Sequence, residues 1–243
     1  LVLQNINLLL KPGTVIAIVG ENGAGKTTLV KLLCGLYRPT SGRILVDGVD
    51  LDKIAVDEWR SRLSGAFQDF FRFEFRAIQS IGLGDLAHSE DEIRVETAVA
   101  RAGAEEVVSR LPSALRTQLG PSWPEGVEIS FGQWQKLALA RGFMRQQPLL
   151  IVLDEPTAAL DAETEHSLFE RYAAAARRSA AAEGSADGRI TLLISHRFST
   201  VRMADFIIVM DGARVVERGS HEELMARRGQ YAELYNIQAA AYR

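Results

Sequence analysis

Cysteine is almost absent from this chain. Cys34 stands alone among 243 residues, so no internal disulfide can form and a reducing compartment suits the sequence. It falls on the apolar face of a predicted helix and reads as a packed thiol rather than a reactive one. No apolar run approaches the ~20 residues that a membrane-crossing helix needs, and no charged-then-apolar leader opens the chain. The four histidines and one cysteine show no zinc spacing. His88, His166 and His221 read as solvated residues in polar surroundings. An excess of positive charge is missing too: the formal net charge of −3 argues against a nucleic-acid surface, leaving room only for a local basic stripe. No methionine precedes Leu1, which already lies in a strand-like run, LVLQNINLLL. The expectation is a piece cut from a longer polypeptide.

What the chain does have is a complete phosphate-loop pattern. Gly20 to Thr28 reads GENGAGKTT and fits G-x-x-x-x-G-K-[ST] at Gly20, Gly25, Lys26 and Thr27. The run TVIAIVG before it reads as a buried strand and LVKLLCGL after it as a helix. Glycines let backbone N–H groups curl round an anion, and the helix N-terminus adds its positive dipole end. Lys26 would reach the β- and γ-phosphates, and the Thr27 hydroxyl would ligate Mg²⁺. A nucleoside triphosphate is the expected ligand, held by Gly20, Glu21, Asn22, Gly23, Ala24, Gly25, Lys26, Thr27 and Thr28.

Residues 1–18 read as two strands joined at Lys11-Pro12-Gly13-Thr14. The helix after the phosphate loop runs to about Tyr37, and RILVDG forms a strand with an Asp-Gly turn. A short helix in 51–63 leads to a buried strand, GAFQ, ending at Gln68. Half of the ten phenylalanines then crowd into nine residues, Phe67, Phe70, Phe71, Phe73 and Phe75. Phe71, Phe73 and Phe75 alternate with charged residues, which puts their rings on one side. Two readings stand: an aromatic core strand, or a partly exposed patch that docks a partner, which the mix of aromatic and Arg residues favours. Residues 90–111 are helical, with Ile93, Val95 and Val99 on the apolar faces. Ser130 and Gln133 have capping-box spacing and open another helix. LLIVLDE is a short apolar strand ending in two carboxylates. An alanine-rich helix over 163–178 fades into a loop, AAEGSADG. ITLLIS is a buried strand ending at His196, FIIVMDGARVVERG a hairpin turning at Asp211-Gly212, and two helices begin at Ser220 and Gln230.

Strands alternating with helices after a phosphate loop imply an α/β fold with a mostly parallel sheet. The expected division is a core of 1–69 and 148–243 and a helical insertion of 70–147. Strand ends in such sheets converge on one crevice, and four polar residues sit at predicted strand ends. Asp154 would hold Mg²⁺ and Glu155 would polarise the attacking water. The Gln68 amide would touch both metal and water. His196 is open to a structural or a catalytic role on its own.

Together these motifs resemble the nucleotide-binding domain of ATP-binding cassette (ABC) transporters over essentially the whole chain. GENGAGKT resembles that family's Walker A, Gln68 its Q-loop, LLIVLD its Walker B and Glu155 its catalytic glutamate. Ala159-Leu160-Asp161 is similar to the D-loop, which makes Asp161 a nucleotide-site residue, and His196 to the switch histidine. Ile129-Ser130-Phe131-Gly132-Gln133 resembles the LSGGQ signature that sets this family apart from other P-loop proteins. The resemblance implies a P-loop NTPase core with an N-terminal antiparallel β part and a helical subdomain carrying the signature. It implies ATP and Mg²⁺ as cofactors, and head-to-tail pairing with a second nucleotide-binding domain, identical or not. Ser130, Gly132 and Gln133 of one domain would then face the γ-phosphate bound by the other. QDFFRFEFRAIQSIGLGD resembles the exporter class, implying a membrane-spanning domain, fused upstream or separate, and a place on the cytoplasmic face of the cell membrane.

Two departures stand out. Phe131 replaces the signature's second glycine and Ile129 its leucine, which removes backbone freedom there. No aromatic precedes Tyr37, so the family's adenine-stacking residue is absent or lies before Leu1. The leading expectation is an ATPase that drives export. The alternatives are an ATP-holding regulatory domain with little hydrolysis, disfavoured by intact Glu155 and His196, and an ABC ATPase acting on nucleic acid or ribosomes, disfavoured by the charge.

Overall fold

The computed structural model describes residues 3–67, 69–154, 169–170 and 188–241. Gln68, Glu155, Asp161 and His166 lie outside them, as do most of the expected alanine-rich helix and of the loop after it. Among the described residues no helix is long and apolar enough to cross a membrane.

Continuous β-branched runs, rather than alternating ones, build the sheet's centre, as expected for strands covered on both faces. Strand β1, Val15–Val19, is buried at every residue. Going on in chain order, β2 is Leu45–Val46, β3 Val49–Asp50, β4 Leu63–Ala66 and β5 Leu150–Asp154. Then come β6, Ile190–Ile194, β7, Phe206–Asp211, and β8, Arg214–Gly219. Six of them form a sheet in the order β4-β5-β6-β1-β7-β8. β1 runs parallel to β6, with Ile18 opposite Ile194, and parallel to β7, with Val19 opposite Val209. β8 closes the edge antiparallel to β7, with a bulge at Val209/Met210, and its alternating exposure marks a strand with one wet face. β2 and β3 form a separate antiparallel hairpin, turned by Asp47 and Gly48 at φ 49° and 83°. The expected mostly parallel α/β architecture with an antiparallel part is what forms.

The chain separates into two compact units: Leu1–Leu63, Pro148–Val152 and Ala173–Arg243 in the first, Ser64–Gln147 and Leu153–Tyr172 in the second. In the first, α1 (Lys26–Leu33) and α2 (Val56–Ser61) cover the sheet with Leu29, Val30 and Trp59, which pack on Ile16, Ile18 and Ile208. The second contains α3 (Ala77–Gly82), α4 (Glu92–Ala102), α5 (Glu105–Ser109) and α6 (Phe131–Gly142). Asp91 caps α4 by accepting the Arg94 N–H, and Gly103 ends it at φ 63°. Back in the first unit, α7 (Phe198–Val201), α8 (His221–Arg227) and α9 (Gln230–Ala241) finish the described chain. Ser220 and Glu223 form a reciprocal capping box at the start of α8.

Several local expectations are corrected. The run from Leu3 to Leu10 forms no strand. Asn5 sits at φ 53°, which breaks a regular ladder, so single bonds replace it: Gln4 N–H to Ala213 O and Arg218 to Asn7 O. The helix after the phosphate loop stops at Leu33 rather than Tyr37, because Gly35 turns the chain at φ 65°. β4 ends at Ala66, two residues short of Gln68. Ile93 points outward, 76% exposed. The hairpin turns on Gly212 and Ala213, both at positive φ, with Asp211 paired to Arg214. His221 is not solvated: it packs on Tyr231 and Tyr235, and its Nδ1 lies 2.8 Å from the Tyr231 hydroxyl. His88 is tied to Asp85 at 2.9 Å.

Candidate functional site

The phosphate loop leaves the C-terminal end of β1 at Gly20, where only glycine fits. A Cβ there would lie 2.2 Å from the Met210 carbonyl oxygen of β7, and φ is 148°. Gly23 and Gly25 follow at φ 84° and 100°, so the loop curls tightly before α1. Gly25 is the N-cap of α1 and gives it no side-chain cap, and no acidic residue lies in the first turn. The Thr27 and Thr28 amides have no partner among the described residues. Unpaired amides at a dipole's positive end form an anion site. Ala24, by contrast, faces inward and belongs to the core, while Glu21, Asn22 and Gly23 are exposed.

Lys26 is buried within this loop. Its Nζ donates to the carbonyls of Gly20 at 2.7 Å and Glu21 at 3.0 Å. The loop's own oxygens thus hold the ammonium where a phosphate oxygen would replace one of them. The Thr27 side chain is exposed and makes no hydrogen bond among the described residues. Among those residues no group of three or more His, Cys, Asp and Glu would bind a metal unaided. A single hydroxyl suits Mg²⁺ that takes most of its oxygens from phosphate and water.

His196 leaves the same sheet edge one strand away. β1 and β6 are parallel neighbours, and Ile194 is level with Ile18, so His196 and Gly20 emerge side by side. Its side chain is exposed. Asp154 is the last residue of β5 and is half-buried in the second unit. Glu155, Gln68 and Asp161 fall outside the described residues.

Ser130 opens α6 with both halves of the capping box in place. Its Oγ accepts the Gln133 N–H at 3.3 Å, and Gln133 Oε1 accepts the Ser130 N–H at 2.8 Å. The amides of Phe131 and Gly132 keep no partner among the described residues. At the start of α1 the Thr27 and Thr28 amides stand the same way. Phe131 is the first helical residue and needs no positive φ, so the lost glycine costs no strain. Its ring is half exposed and packs against Phe70, with the Arg72 guanidinium 5.3 Å from its centre.

The aromatic stretch is a patch, not a core strand. Phe71 is 69% and Phe75 43% exposed, and the segment carries no regular strand. The rings still touch in series, Phe71–Phe73 at 4.8 Å and Phe73–Phe75 at 6.0 Å. Sequence reading missed Arg141, which holds this stretch to α6. Its Nε donates to Ser80 O at 2.8 Å, a terminal nitrogen donates to Phe71 O at 3.2 Å, and its guanidinium lies 4.5 Å from the Phe73 ring centre. Burial lowers its pKa to about 10, which leaves it charged at neutral pH. An arginine at a helix's end carries no sequence signal for partners 61 and 70 residues away.

The chain resembles known proteins over nearly its whole length. An ATP-dependent lipid A-core flippase of Cupriavidus pinatubonensis is 42% identical over 99% of this chain and 38% of its own length. The protein of that name from Pseudomonas aeruginosa is 40% identical over 96% of this chain and 36% of its own. The chain thus spans under two fifths of these curated relatives. A solved bacterial Atm1-family ABC exporter with ATP bound superposes with a TM-score of 0.85, at 34% identity, over 98% of this chain and 39% of that one. The family model described as ABC transporter matches residues 3–158, more than half of the sequence. With its phosphate loop and its Ser130-capped helix, the chain belongs to the ABC transporter family.

Proposed function

We propose that this chain binds Mg·ATP and hydrolyses it as half of a head-to-tail pair, and that the cycle powers export across a membrane. The supporting observation is the pair of helix starts, at Gly25 and Ser130, whose Thr27, Thr28, Phe131 and Gly132 amides have no partner among the described residues. One follows a glycine loop that already orients Lys26. The other, at Ser130, has no anion source in its own sequence neighbourhood. Two copies facing each other would bring the second to the phosphates held by the first.

In this reading the loop's free backbone amides, those of Thr27 and Thr28 among them, hold the phosphate oxygens, and Lys26 gives up one loop carbonyl to reach the outer phosphates. Magnesium, when bound, neutralises developing charge on the phosphates; Thr27, Asp154 and Gln68 are the residues that would hold it. Glu155 orients and accepts a proton from the attacking water, and His196 fixes the terminal phosphate from the adjacent strand end. Ser130, Gly132 and Gln133 close the site from the partner copy, with Asp161 at the junction. The exposed Phe71 and Phe75 rings form the docking surface for a membrane-spanning domain. The relatives named as lipid A-core flippases make a lipid the first cargo to test.

Sedimentation of the Glu155→Gln variant with Mg·ATP tests the pairing. A dimer that forms only with nucleotide, and is lost on Ser130→Arg, is expected. A species that stays monomeric at high concentration sinks it.

A further inference from the structure

The loop that carries His196 is held by the last helix of the chain. Gln238, in the final turns of α9, places its side-chain amide across that loop. Nε2 donates to the His196 carbonyl, and Oε1 accepts the Phe198 N–H at 3.4 Å. One planar amide therefore grips two backbone groups on either side of Arg197. The grip is reinforced by rings. Phe198 is buried against Tyr231 and Tyr235 of α9, with centroids 5.4 and 5.6 Å away.

Helix α9 is itself anchored, so it can act as a fixed frame. The Tyr231 N–H donates to Glu217 Oε2 of β8 at 2.7 Å. The Tyr231 hydroxyl meets His221 Nδ1 of α8 at 2.8 Å, and its ring is fully buried. The frame ends at Gln238, and beyond it the loop leads to an exposed His196 side chain beside the phosphate loop.

We propose that Gln238 is a positioning residue for His196, so that the C-terminal helix sets the histidine's reach toward the terminal phosphate. The inference rests on the reading of His196 as a phosphate-contacting residue. Displacing a reacting or orienting group by about 1 Å can cost up to ~10²-fold in rate. The nucleotide's main contacts, at Lys26 and the α1 amides, lie outside the grip. Loosening it should lower turnover and leave ATP affinity alone.

The test uses the complete protein, with steady-state ATPase assays and a thermal melt on each variant. Gln238→Glu keeps the shape and the acceptor for Phe198 but removes the donor to His196. Gln238→Leu removes both. The expected result is a drop in kcat of roughly 10-fold for either, with KM for ATP within about twofold. In a His196→Ala background, either change should lower the residual kcat no further, because groups acting as one unit are not additive. If both variants melt normally and keep wild-type kcat, the positioning role is wrong. If they lower kcat equally with and without the His196 side chain, the helix acts on the domain at large, and the proposal is overturned. If His196→Ala itself turns over normally, the role given to His196 fails, and this inference falls with it.

Discussion

Removing the Arg141 side chain should loosen the aromatic segment while leaving the rest of the fold in place. The guanidinium makes one short bond to the Ser80 carbonyl and longer ones to the Phe71 carbonyl and Ser80 Oγ at 3.2 and 3.4 Å. Taking about 2 kcal/mol for the short charged bond and roughly 0.5 for each long one gives ~3 kcal/mol. Stacking over Phe73 adds about 1 kcal/mol. Arg141→Ala should therefore cost about 4 kcal/mol, and Arg141→Lys, which keeps a charge without the fork, roughly half of that. At ~2–4 °C per kcal/mol for a domain of this size, the alanine variant should melt ~8–16 °C lower. Hydrogen exchange locates the loss: amides from Phe71 to Gly82 should exchange faster, while those of β1 and β7 keep their protection relative to the new global stability. An alanine variant that melts within about 2 °C of the parent, with unchanged exchange over that segment, refutes the reasoning.

Further outcomes follow at four other residues. Ala213 turns the β7–β8 hairpin at φ 68°, so Ala213→Asn should raise stability by ~0.5–1 kcal/mol in a denaturant titration; no gain would show that the turn is unstrained. Cys34 is buried and its thiol is pushed up to about 11, so a thiol reagent at pH 8 should label only unfolded protein, and rapid native labelling would contradict the packing. Because the folded thiol keeps its proton where the unfolded one (ordinary value 9.0) loses it, its linked stability is present below about pH 9 and falls between there and about pH 11. Gly20→Ala drives a Cβ against the Met210 carbonyl and should lower both stability, by ~2 kcal/mol, and ATP affinity; a variant with native melting and binding would show the loop has slack. Phe71→Ser, at an exposed ring, should abolish transport by the complete protein and spare its basal ATPase, whereas equal loss of both would mean a core role.

Some features are legible in the chain itself because their causes are local. The phosphate loop, the Ser130–Gln133 box and the Asp47-Gly48 turn are local, fixed by bonds and dihedral needs within a few residues. β1, β6 and β7 were legible because strands covered on both faces must be apolar throughout. The N-terminal run misled because LVLQNINLLL has strand-like composition, yet Asn5 breaks the ladder and the β7–β8 hairpin offers it only isolated bonds. His221 misled in the opposite direction. Its sequence neighbours are polar, and the tyrosines that pack on it lie 10 and 14 positions on.

The sequence by itself determined the chemistry: a glycine loop, a lysine, a hydroxyl and a capped helix, each readable because its physical requirement spans only a few bonds. The tertiary structure alone decided which distant groups hold those parts still. Met210 against Gly20, Arg141 under the aromatic segment and Gln238 across the His196 loop are pairs separated by 40 to 190 residues. Such pairs leave no periodic trace in the chain, because a side chain's long-range partner is set by packing, and packing exists only once the fold has formed.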